Sequence, residues 1–79
     1  MTPKKFDEVN VVMGEGQPEY IPLPAYKKPG ENGEVVMCFE LSDEEKARVQ
    51  ETGEIWLSLL TFNRGMQPVY ITTEKNEVL

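Results

Sequence analysis

The chain has 79 residues, with 14 acids, 8 bases, no histidine and one cysteine. That length allows one domain, near the lower limit at which a core is stable by itself. A composition of 39% hydrophobic and 28% charged residues belongs to a globular chain, not a disordered one. The net charge of −6 speaks against a general nucleic-acid binder, whose affinity rests on Lys and Arg at phosphates. The charge is also uneven: residues 34–79 hold nine of the acids and four of the bases. Such a surface favours solubility or a basic patch on a partner.

Cys38 has no second cysteine to pair with, and the usual His/Cys zinc sites are missing, so no metal and no cofactor is expected. The start, Met1 to Glu8, turns acidic where a signal peptide needs an apolar run. No stretch reaches the roughly 18 apolar residues of a membrane span. The expectation is a soluble, cytoplasmic protein with no membrane partner.

In chain order, Val9, Val11, Val12 and Met13 form a short β-prone run, interrupted by Asn10 and stopped by Gly14. Three prolines at 18, 22 and 24 then argue against both a helix and a central strand, since each lacks a ladder donor. Residues 17–33 therefore read as a proline-rich arm and loop, with the arm an edge strand or a strap over the fold. Glu34 to Leu41 alternates as a strand, with Val35, Met37, Phe39 and Leu41 on one face. Ser42 with Glu45 makes a capping box, Asp43 and Glu44 suit a helix N-terminus, and Gly53 suits a left-handed stop. A helix over 43–52 follows.

Glu54 to Phe62 reads as a second long strand, Ile55, Leu57 and Leu59 on one face and Trp56, Leu60 and Phe62 on the other. A short turn at Asn63 to Met66 leads into a returning strand from Gln67 to Thr73, and the tail from Glu74 is polar. The whole is a single α+β domain with a small, mainly antiparallel sheet and one short helix, in the order β-arm-β-α-β-β. A strand that is apolar on both faces has to be covered twice, and one sparsely apolar helix cannot do it. The expectation is a homo-oligomer in which Trp56, Leu60, Phe62 and Tyr70 meet a second copy or another partner, with cover by the chain's own proline arm as the alternative.

Catalysis is poorly supplied, because the commonest general base is absent and Cys38 sits in an apolar strand without a histidine. No enzyme is expected. The better candidate site is the turn, where Arg64 stands among Thr61, Asn63 and Gln67. A guanidinium is a bidentate donor for phosphate or carboxylate, so a small anionic, nucleotide-like ligand is one possible partner.

The segment from Glu40 through Thr72 resembles small uncharacterised proteins of bacteriophages and prophages. The resemblance lies in Leu41-Ser42 with Glu44-Glu45, in Thr52-Gly53-Glu54-Ile55-Trp56-Leu57, and in Leu60-Thr61-Phe62 followed by Gln67-Pro68. It covers under half the chain and brings no catalytic residues. What it implies is a setting in which small acidic proteins act by binding, blocking host defence enzymes or sequestering their nucleotide signals. The favoured reading is a small non-catalytic binding protein that antagonises or regulates a host protein, with an oligomeric sponge for a small anionic, nucleotide-like ligand and a structural or assembly subunit as the alternatives.

Overall fold

A computed structural model describes residues 1–79. Four strands, β1 (Thr2–Lys4), β2 (Val11–Met13), β3 (Leu23–Lys27) and β4 (Val35–Glu40), precede one helix, α1 (Asp43–Thr52). A short 3-10 turn at Lys75–Glu77 ends the chain. The strands form one antiparallel sheet in the order β1-β4-β3-β2. β4 is shared lengthwise, pairing with β3 over Val35–Met37 and with β1 over Cys38–Glu40. β1 and β3 still come within 8 Å of each other. In a flat sheet, next-nearest strands lie about 9.6 Å apart, so the sheet is curled.

The centre of the sheet is Ala25, the only buried residue, flanked across the ladders by Val11 and Met37. Asn10 does not break β2 away from β3. Its carboxamide accepts from the Lys27 N–H at 2.8 Å and donates to the Lys27 carbonyl at 3.1 Å, so the side chain extends the ladder. The loop after β3 is closed where the Lys28 N–H donates to the Glu34 carbonyl and their side chains form an ion pair at 3.1 Å.

Two expectations need correction here. The proline-bearing segment is not confined to an edge, because β3 contains Pro24 and lies between β4 and β2. The pairing with β4 begins only at Ala25, so Pro24 stands opposite β2 alone and its missing N–H falls outside the β3–β4 register. The segments 54–62 and 67–73 form no strands, so the observed order is β-β-β-β-α in place of β-arm-β-α-β-β.

Helix α1 follows its local signals closely. The Ser42 hydroxyl accepts from the Glu45 N–H at 3.2 Å, the Glu45 carboxylate accepts from the Ser42 N–H at 2.9 Å, and Gly53 closes the helix at φ 69°. No helix Cα lies within 8 Å of a strand Cα, so α1 does not cover the sheet. Its tie to β1 is electrostatic: the Met1 amino group sits 2.5 Å from the Glu45 carboxylate.

That pairing, followed by the Ser42 N–H, lowers the Glu45 pKa from 4.5 to about 2. A carboxylate depressed on folding stabilises the fold above its unfolded pKa and loses that contribution as pH falls towards its folded one. Helix ellipticity should therefore weaken between pH 4.5 and about 2, and Glu45→Gln should remove most of that pH dependence. Ser42→Ala should cost about 1 kcal/mol in denaturant titrations at neutral pH.

Candidate functional site

The chain from Glu54 to Thr72 leaves the helix as an arm. Its exit is defined: the Gly53 N–H donates to the Val49 carbonyl at 2.7 Å, and the Glu54 N–H donates to the Thr52 hydroxyl at 3.2 Å. Its return is tied down as well. Tyr70 and Thr72 hydroxyls both donate to the Glu77 carboxylate, and Lys75 pairs with Glu8 at 3.2 Å. The Tyr70 bond is the main cause that lowers the Glu77 pKa and raises that of Tyr70.

Between these ties, one backbone–backbone hydrogen bond is made, from the Arg64 N–H to the Thr61 carbonyl at 3.0 Å. It closes a turn with Phe62 at φ 51° and Asn63 at φ 59°. Two successive left-handed residues under an i to i+3 bond make a type I′ turn, the kind that joins hairpin strands. The turn falls two residues before the expected one at Asn63–Met66. Gly65 does take a positive φ of 87°, but just beyond the turn. The two legs, Ile55–Leu60 and Gly65–Thr72, form no backbone hydrogen bonds with each other or with the sheet.

The legs differ by face. Ile55, Leu57 and Leu59 are 43–53% exposed, whereas Trp56, Leu60 and Phe62 stand at 88%, 79% and 72%. Met66 and Tyr70 on the second leg are 73% and 64% exposed. The four residues expected at an interface are thus all gathered on this arm and all open. Met66 was not among them, although its place beside Gly65 in an apolar leg was a usable signal.

Of the expected ligand residues, Thr61, Arg64 and Gln67 line one hollow of about 440 Å³ at the arm tip, together with Leu60, Phe62 and Met66. Asn63 does not line it; its N–H donates to the Thr61 hydroxyl at 3.3 Å. The Arg64 side chain makes no ion pair and no hydrogen bond, although the chain carries 14 acids. Cys38 is half-buried in β4 opposite Lys4. No group of three or more Cys, Asp or Glu side chains is placed to hold a metal ion, and no helix is long and apolar enough to cross a membrane.

No protein-family model, curated protein or solved structure matches the chain. The reading of the site therefore rests on its own geometry.

That geometry separates two kinds of residue at the turn. Arg64→Ala should leave the melting temperature nearly unchanged, because a side chain with no partner is worth within about 0.5 kcal/mol. Asn63→Val should destabilise by about 1–2 kcal/mol, since a β-branched residue is strained at left-handed φ. Thermal melts of the two variants, compared with the parent, check both.

Proposed function

We propose that this is a non-catalytic, self-associating protein, an assembly subunit whose arm at residues 54–72 is its interaction element. The observation that supports this reading most is the surface the chain leaves uncovered. Its accessible area is 7210 Å², where a compact domain of 9.0 kDa exposes about 4,850 Å². The surplus of about 2,350 Å² per chain is what an obligate oligomer buries, and more than a standard interface takes from each partner. The radius of gyration agrees, at 14.0 Å against about 11.6 Å for a compact chain of this length.

Hydrogen bonding points the same way. The chain forms 26 backbone–backbone bonds, where about 55 are normal for this length. The arm makes only one of these bonds, and it also carries the two most exposed apolar side chains, Trp56 and Leu60. Apolar surface and unpaired backbone in one segment call for a protein partner, because only another polypeptide covers both at once.

Anion capture stands as a second reading, on the single observation that Arg64 is uncommitted at the arm tip beside Thr61 and Gln67. Antagonism of a host protein, in the phage setting that the resemblance implies, would be an action of the assembled form through its acidic surface. In each case self-association comes first.

Native mass spectrometry of the intact chain at micromolar concentration tests this. The expected species is a multiple of 9.0 kDa, and Trp56→Ser should return it to single chains with the helix signal retained. A bound anion would add mass that Arg64→Ala removes. A clean single-chain mass for the parent protein at all concentrations would contradict self-association.

A further inference from the structure

We infer that the partner of the arm is the same arm of a second copy, joined leg to leg in an antiparallel ladder centred on Ser58. The inference rests on the self-association proposed above and specifies its contact.

Ile55–Leu60 presents six consecutive residues with no backbone partner. The exposed edges of the sheet cannot match it: β1 and β2 are three residues each, and β1 contains Pro3. A segment with as many open donors and acceptors is the same leg in another copy. The second leg is the poorer partner because it contains Pro68, which belongs on an edge. The type I′ turn already directs the second leg alongside the first. Leg one nevertheless makes no backbone hydrogen bond on either edge, and the legs of two copies meet edge to edge across a two-fold axis.

The register follows from the side chains. Opposite residues in a ladder share a face, and a slip of one residue reverses every side chain. Only pairings that match 56, 58 and 60 among themselves keep the open face on one side. Centring on Leu57 would set Leu60 against Glu54. Centring on Leu59 would set Trp56 against Phe62, which the turn holds at φ 51° outside any strand. Centring on Ser58 sets Trp56 against Leu60 twice and Leu57 against Leu59 twice, with the small Ser58 facing its own counterpart. The most exposed apolar residues of leg one, Trp56 and Leu60, cover each other.

Cysteine cross-linking reads this directly. In a Cys38→Ser background, Ser58→Cys places two thiols on directly opposed residues, with Cα atoms about 4.5–5.5 Å apart, within disulfide reach. Leu60→Cys in the same background places its two thiols about 13 Å apart. Mild oxidation should convert Ser58→Cys to a covalent pair of chains several-fold more completely than Leu60→Cys. A mixture of Leu57→Cys and Leu59→Cys, which keeps Trp56 and Leu60, should yield the mixed disulfide in preference to either homodimer, which provides a readout if Ser58→Cys does not fold. Circular dichroism of the helix verifies folding in each variant. An oligomer whose Ser58→Cys form folds but does not cross-link, or cross-links no better than Leu60→Cys, overturns the Ser58-centred pairing and leaves self-association standing. A parent protein that is a single chain overturns both.

Discussion

Six residues, Ile55 to Leu60, are apolar on both faces and find no hydrogen-bonding partner in their own chain. An extended segment of that kind has two requirements: its backbone polar groups need a ladder, and its side chains need cover on each side. The small sheet can supply neither in full. Its outer strands are short, its curl closes β1 towards β3, and its buried centre is one alanine. The helix supplies no cover to the sheet either, because it stands clear of every strand and is tied to it only by the Met1–Glu45 ion pair. The unmet requirement of leg one therefore governs how the molecule completes itself.

The rest of the chain fixes where that leg is offered. The capping box and Gly53 set the helix length and so the point at which the arm begins. Glu77 gathers Tyr70 and Thr72, and Lys75 meets Glu8, so the arm ends at a fixed place. Between those anchors the type I′ turn folds the two legs back towards each other. An arm anchored at both ends and turned at its tip is a preorganised contact element, and preorganisation lowers the ordering cost of association. Arg64 and Gln67 at the tip stay outside the proposed ladder, where assembly would leave them open to a ligand.

The parts legible in the sequence are those decided locally. Ser42, Glu45 and Gly53 define the helix from side-chain to backbone bonds within one or two turns. The alternation of Val35, Met37 and Phe39 marks β4 in the same way. Pairing was not legible, because it joins residues far apart: Thr2 lies opposite Glu40, and nothing in Thr2-Pro3-Lys4 suggests a strand. Pro24 misled for a related reason, since its penalty depends on which neighbour its missing N–H would face. At the candidate site, the turn was legible from Asn63 and Gly65, but the left-handed residues are Phe62 and Asn63. Alternation in 54–62 identifies a segment able to be a strand. It carries no information on whose backbone completes it.

Hydrogen exchange of the intact chain, read at the amides of Ile55 to Leu60 across a dilution series, tests the central claim most directly. The account predicts slow exchange in those amides at high concentration, with protection lost as the protein is diluted and the helix 43–52 kept. Fast exchange at every concentration, in a protein that remains folded, would contradict it.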